Sequence, residues 1–226
     1  MKAITIPYAY ILRNIVESEL LLDFDILFVY DELEAKRIIK NSKLNYQGLI
    51  LPLKSIPSFS LGAVLFKFLS IGIQEILSTR SYFLKKKFNR VTKYNVIINF
   101  LAKKLFLAYE NSSIFQKFID NLCFNSAKVK EQIKKNKVSK IYVTCHHFRH
   151  EYYYIAACQQ RNMEIQGIIY SWDVITTKGN YLKNIPKLNV WGSVSTRELN
   201  DLHRGKLNRS FSVKEIGMLQ NSKNYP

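Results

Sequence analysis

The apolar pattern divides this chain into two regimes. Over residues 1–53, short apolar runs alternate with amphipathic stretches. MKAITIP (1–7), DILFVY (25–30) and GLILPL (48–53) have strand length. Between them, Ile11 and Ile15, with Leu22, set one face of a helix over 11–22. A second helix is expected to run from Asp31-Glu32, placed to cap it, to about Lys40. Strand, helix, strand, helix, strand at this spacing predicts a parallel sheet with helical crossovers, and the unbroken run in DILFVY predicts a strand buried on both faces.

From 60 to 137 the pattern is helical throughout. This stretch has no proline and only one glycine after Gly62, namely Gly72, so about three long helices are predicted. Ile97, Phe100, Leu101, Leu105 and Ala108 form one stripe at helical spacing, and Phe115, Phe118, Ile119 and Leu122 another. Both are expected to pack on the core. Residues 61–73 are strongly apolar but broken by Lys67, and fall short of the ~20 residues that a bilayer span requires. Strand patterns return at 140–145 (KIYVTC), 164–170, 187–191 and 212–216. Helices are expected at 148–161 and 195–203, the latter capped by Ser193 or Ser195 with Glu198 in its first turn. The predicted fold class is α/β: a Rossmann-like parallel sheet flanked by helices, with a long basic helical insertion in its middle. No Gly/Ser linker splits the chain, so 1–217 reads as one domain.

Composition sharpens this picture at one point. The 226 residues include 34 Lys+Arg against 17 Asp+Glu, a formal net charge of +17. Such an excess draws a protein to polyanions: nucleic acid, phospholipid headgroups or phosphorylated small molecules. The charge is concentrated. Between Ile76 and Tyr109 lie Arg80, Lys85, Lys86, Lys87, Arg90, Lys93, Lys103 and Lys104 without a single acid, interleaved with Tyr82, Phe83, Phe88 and Tyr94. This predicts contact with an anionic membrane surface. Basic residues mixed with aromatics also hold single-stranded nucleic acid, but here the aromatics fall on helical stripes and no recognised binding module is present. Cys123, Cys145 and Cys158 lack metal-like spacing and read as small core residues of a protein in a reducing compartment. No secretory signal pattern opens the chain.

Two clusters carry candidate chemistry. HHFRHE (146–151) sits at a strand-to-helix junction. His146 and His150 at i, i+4 could share a helix face, yet no carboxylate or cysteine stands at a convincing metal-ligand spacing. A histidine or Arg149 directed into a crevice, as a base or as a phosphate or hydroxyl ligand, is the other reading; capping and packing is the third. SWDVITTKG (171–179) follows a strand and so occupies the place where open α/β sheets bind ligands. Gly-x-Gly-x-x-Gly, a Walker-type loop and Gly-x-Ser-x-Gly are all absent.

SWDVITTKG, then NVWGSVSTRELNDLH, then VKEIGMLQ together resemble the first half of GT-B-type glycosyltransferases of bacterial surface-polysaccharide synthesis, related in architecture to teichoic-acid glycerophosphotransferases. Ser171, Trp172, Asp173, Thr176, Thr177, Lys178 and Gly179 match the first element, and Val190, Trp191, Gly192 and Glu198 the second. Arg13-Asn14 resembles an Arg-Asn pair on the first helix of that family. The chain departs from the pattern at Val174, where asparagine is usual, and at Leu219 and Ser222 after Gly217, where proline and aspartate are expected. The resemblance covers about 139–217.

It implies an acceptor-side domain, with 218–226 the start of a hinge to a donor-binding domain that would lie beyond it. It further implies Asp173, His146 or His147 as acceptor base, and substrate contacts from Arg13, Arg149, Ser171, Trp172, Thr176, Thr177, Lys178, Gly179 and Glu198. No metal and no cofactor is expected; the nucleotide-sugar donor is a substrate. The implied partners are a nucleotide-sugar-binding domain in cis or trans, a saccharide or lipid-linked acceptor, and the inner face of the cytoplasmic membrane. The alternative expectation is a non-catalytic membrane-surface or polyanion-binding protein derived from such an enzyme.

Overall fold

In the computed structural model, which describes residues 1–18, 20–54, 61–77, 93–144, 149–169 and 185–217, the strand patterns become one parallel sheet. Its strands are β1 (Lys2–Ile6), β2 (Ile26–Val29), β3 (Leu49–Pro52), β4 (Lys140–Val143), β5 (Glu164–Ile168), β6 (Lys187–Val190) and β7 (Ser212–Glu215). They lie in the order β3-β2-β1-β4-β5-β6-β7. Ala3 of β1 pairs with Ile26 on one side and Ile141 on the other, so the strand order reverses direction between β1 and β4. This is a Rossmann-like α/β architecture, and the reversal is its topological switch point.

Right-handed crossovers put α1 (Ala9–Glu17) and α2 (Glu32–Asn41) on one face of the sheet. On the opposite face they put α6 (Ala127–Lys135), α7 (Arg149–Gln159) and α8 (Ser193–Leu199). Asp31 caps α2 as expected, accepting the Glu34 N–H at 3.0 Å. The first helix is shorter than its apolar spacing predicts. It stops at Glu17, and a 3-10 turn, Leu20–Asp23, leads into β2 with Leu22 exposed rather than buried. At α8 the expected serine cap is replaced: Gly192 takes the N-cap position without a side-chain bond, and Ser195 is buried inside the helix. A π-helical turn, Asn200–Gly205, continues it.

The sheet is dressed unequally. β2 is buried along its whole length and β1 along all but Lys2, because helices cover both faces there. β4, β5 and β6 largely alternate, burying Ile141, Val143, Ile165, Leu188 and Val190 under α7 and α8. Their other face carries Lys140, Tyr142, Glu164, Gln166, Lys187 and Asn189, the polar half of a period-two pattern. These residues form a ladder across the strands. Glu164 accepts from Lys187 at 2.7 Å and from Gln166 at 3.0 Å, lies 3.5 Å from Lys140, and Asn189 donates to Gln166 at 3.3 Å.

The region expected as three helices holds four among the described residues: α3 (Leu61–Leu77), α4 (Lys93–Asn111), α5 (Ser113–Phe124) and α6. Ser112 and Ser126 cap α5 and α6, accepting the Phe115 and Val129 N–H groups. α3 to α5 form a third layer over α7. That layering explains why α7 is enclosed all round, with every residue from Glu151 to Cys158 buried. Phe66 of α3, Phe124 of α5 and Tyr152 of α7 meet with ring centroids 5.3 to 6.0 Å apart. Glu110 at the end of α4 takes two 2.6 Å bonds from Arg209, which is buried just before β7 and ties the helical layer to the far end of the sheet. The expected core stripes are corrected here. α4 buries Ala102, Phe106 and Tyr109, whereas Ile97, Phe100 and Leu101 are exposed; on α5, Ile119 is buried but Phe118 and Leu122 are exposed.

Two expectations follow from this packing. α3 and α4 cross closely at Gly72, where a Cβ would press on the Ala102 carbonyl oxygen and come within 2.6 Å of the Phe106 Cβ. Gly72→Ala, which would stabilise an exposed helix, should therefore lower unfolding stability by about 1–3 kcal/mol in urea titrations; a gain would disprove the close crossing. The Lys187 hydrogen bond, followed by that from Gln166, holds the Glu164 carboxyl down at about 2. Its stabilising effect is thus complete above the ordinary value of 4.5 and is lost as pH falls towards 2. Glu164→Gln should flatten that acid limb of the Tm profile, and an unchanged limb would remove the ladder as its cause.

Candidate functional site

Because every strand is parallel, the segments that leave β1, β4, β5 and β6 do so at one edge of the sheet, beside the switch point. Residues 145–148 follow β4 and 170–184 follow β5, so His146, His147, Ser171, Trp172, Asp173, Thr176, Thr177, Lys178 and Gly179 lie outside the described residues, as does Cys145. Arg80, Lys85, Lys86, Lys87 and Arg90 lie outside them too, as do residues 218–226 and the side chain of Lys93. Arg13, Arg149 and Glu198 are described.

The switch point itself is built on Glu151, in the first turn of α7. Its carboxylate is fully buried, accepts the Thr144 N–H at 3.0 Å and accepts the Thr5 hydroxyl. Thr144 in turn donates its hydroxyl to the Thr5 carbonyl at 2.8 Å. Three backbone directions, the ends of β1 and β4 and the start of α7, are thereby fixed by one side chain. A buried carboxyl group with two donors on one oxygen anchors the start of α7 against the ends of β1 and β4. The sequence places Glu151 inside the histidine cluster, yet nothing in its local spacing marks it as the anchor. Its partners, Thr5 and Thr144, are 146 and 7 residues away.

Arg149 stands at the opening of α7. Its guanidinium donates to the Tyr153 hydroxyl at 3.1 Å, one turn on, and lies 5.9 Å from that ring's centroid. His150 beside it is half-buried; burial first, and the Arg149 charge second, hold its imidazole below the ordinary value and so favour the neutral form at pH 7. Arg13 is placed apart from these groups, on the exposed side of α1, where it faces Glu34 of α2 at 3.7 Å.

At the end of β6, Glu198 is half-buried on α8, and burial raises its carboxyl above the usual carboxylate value while Arg197 opposes the shift. Its Oε2 and the Trp191 indole N–H are both buried with no hydrogen-bond partner. A buried acceptor on α8 and a buried donor just after β6, each unmade among the described residues, are groups suited to a polar ligand. Glu198 was legible through the family resemblance; the unmade Trp191 donor is visible only once the strand end is folded.

Two cavities frame the edge. The cleft between the ends of β1 and β2 holds about 30 Å³ and is lined by Tyr8, Asp31 and Glu34 among others. That is room for about one water, and two carboxylates disfavour a diphosphate there. A larger cavity, about 510 Å³, lies on the polar face of β4 to β6, lined by Lys2, Lys140, Tyr142, Gln166, Asn189 and Lys214 among others. Among the described residues no three metal-ligating side chains converge, and no helix is long and apolar enough to cross a membrane. Cys123 and Cys158 are buried, and burial pushes the Cys158 thiol up to about 12.

No family model, curated protein or solved structure matches this chain.

The anchor can be tested directly. Glu151→Ala leaves the Thr144 N–H without its acceptor and the Thr5 hydroxyl with only the Tyr142 carbonyl at 3.3 Å, and should cost about 2–3 kcal/mol in urea unfolding, while Glu151→Gln, which keeps an acceptor oxygen, should lose less. Wild-type stability in Glu151→Ala would show that the strand ends are held by other means.

Proposed function

We propose that this Rossmann-like domain is the acceptor side of a GT-B-type sugar transferase that acts on a surface-polysaccharide or membrane-linked saccharide. The observation that carries the reading is the arrangement of β4, β5 and β6. These three neighbouring parallel strands send the His146–Glu151 cluster, the Ser171–Gly179 run and the Trp191–Glu198 segment from the same edge, next to the switch point. Two of these segments, 171–179 and 191–198, carry the family resemblance, and the parallel pairing of β4, β5 and β6 lets the segments that follow them leave in one direction. The unpartnered Glu198 oxygen and Trp191 donor agree with a hydroxyl-rich ligand at that edge.

In this reading Asp173, His146 or His147 removes the proton from the attacking acceptor hydroxyl, while Lys178 and Arg149 contact phosphate or hydroxyl groups of the acceptor. Ser171, Trp172, Thr176, Thr177, Gly179 and Glu198 shape the acceptor site, with Arg13 at its margin. The sugar's anomeric carbon leaves the nucleoside diphosphate and bonds to the acceptor oxygen. Charge on the departing diphosphate is met by a nucleotide-sugar-binding domain, in cis or in trans, which the first βα turn of this chain, with its small acid-lined cleft, is poorly suited to replace.

Two measurements test it. Calorimetric titration of the chain with a panel of nucleotide sugars should show no binding by the chain alone and binding once a donor domain is added; binding by the chain alone would place the donor site here and refute the assignment. In the reconstituted enzyme, Asp173→Ala should lower transfer by at least about 100-fold at unchanged Tm, and Lys178→Ala should also impair it; full activity in both would reduce the Ser171–Gly179 run to scaffold.

A further inference from the structure

The helical layer has an outer side that the core does not use. α4 buries Ala102, Phe106 and Tyr109, and α5 buries Ile119, Cys123 and Phe124. Turned away from those contacts are Ile97, Phe100 and Leu101 on α4, and Ile114, Phe118 and Leu122 on α5, each between 45% and 81% exposed. The α5 trio recurs every four residues and so forms a stripe along one side of the helix. Six large apolar side chains on two consecutive helices exceed the scattered exposure of an ordinary surface.

The charges around them are sorted. The two acids of these helices are turned inward: Glu110 is bound by the buried Arg209 at 2.6 Å, and Asp120 accepts the Tyr109 hydroxyl at 2.9 Å. Lys103, Lys104 and Lys117 are all exposed, and the Lys104 amine stands 5.5 Å from the Phe100 ring centroid. The outer side therefore offers apolar side chains flanked by cations, with no acid competing for them.

We propose that the outer side of α4 and α5 docks on an anionic phospholipid surface, lying in the headgroup plane rather than crossing it. The apolar residues would enter the acyl boundary while the lysines extend back to headgroup phosphates, as long cationic side chains do. A second copy of the chain is the less favourable occupant, because a symmetric contact would set the same lysines against one another in a chain of net charge +17. The inference draws only on α4 and α5 and stands apart from the sugar-transfer reading, which its failure would leave intact.

Vesicle flotation of the full chain tests it, with phosphatidylcholine alone and with about 30 mol% phosphatidylglycerol. The wild type should float with the anionic vesicles, and less so at about 0.5 M salt. The combined Ile97→Ser, Phe100→Ser and Leu101→Ser variant removes only exposed side chains, so it should keep its Tm and lose about tenfold or more in partitioning. Lys103→Glu with Lys104→Glu should abolish much of the preference for anionic over neutral vesicles. Undiminished flotation of the serine variant would assign lipid binding to another basic part of the chain and overturn the proposal. So would absence of flotation by the wild type, or a concentration-dependent dimer that the serine substitutions dissolve.

Discussion

The placement of β1 between β2 and β4 constrains the rest of the molecule. With parallel pairing on both sides and right-handed crossovers, the helices before the reversal must lie on one face and those after it on the other. From that single constraint come the burial of both faces at β1 and β2, the polar second face of β4 to β6, and the switch point at the strand ends. Glu151 stabilises the reversal chemically. It joins Thr5 on the first strand to Thr144 on the fourth, so the segments on which the proposed chemistry depends leave from fixed points.

The helical layer is coupled to the sheet through α7 and Arg209. α7 is buried along Glu151 to Cys158 because it has a sheet beneath and helices above, and Phe66, Phe124 and Tyr152 fill the upper contact. Arg209 is a buried charge that tolerates burial through its paired bonds to Glu110. That pair also removes an acid from the outer side of α4. Core electrostatics and surface character are thus linked: the same bonds that hold the layer to the sheet leave its outer side apolar and positively charged.

The fold class was readable because strands and helices differ in apolar period. All seven strands and the α/β alternation follow from it, as does the Asp31 cap, whose partner lies three residues away. What misled was amphipathicity without a unique side. On α4, Ile97-Phe100-Leu101 and Ala102-Phe106-Tyr109 are both apolar stripes at helical spacing, and the core took the second. Periodicity cannot rank two such stripes, because the choice rests on close approach at Gly72 and on where Arg209 lies. At the site, local spacing exposed the histidine cluster, but Glu151 within it looked ordinary until Thr5 was brought from 146 residues away.

The division has a physical basis. The sequence by itself determined the element types, the parallel α/β class and the excess of positive charge, since each depends on residues within a turn or two of one another, or on composition alone. Only the tertiary structure decided which side of each helix is core, which sheet face carries the polar ladder, and how Thr5, Thr144 and Glu151 meet at the strand ends. Those outcomes depend on contacts between residues far apart in sequence, such as Arg209 with Glu110, 99 positions apart, and Thr5 with Glu151, 146 apart, whose meeting is set by crossover handedness and strand order rather than by local preference.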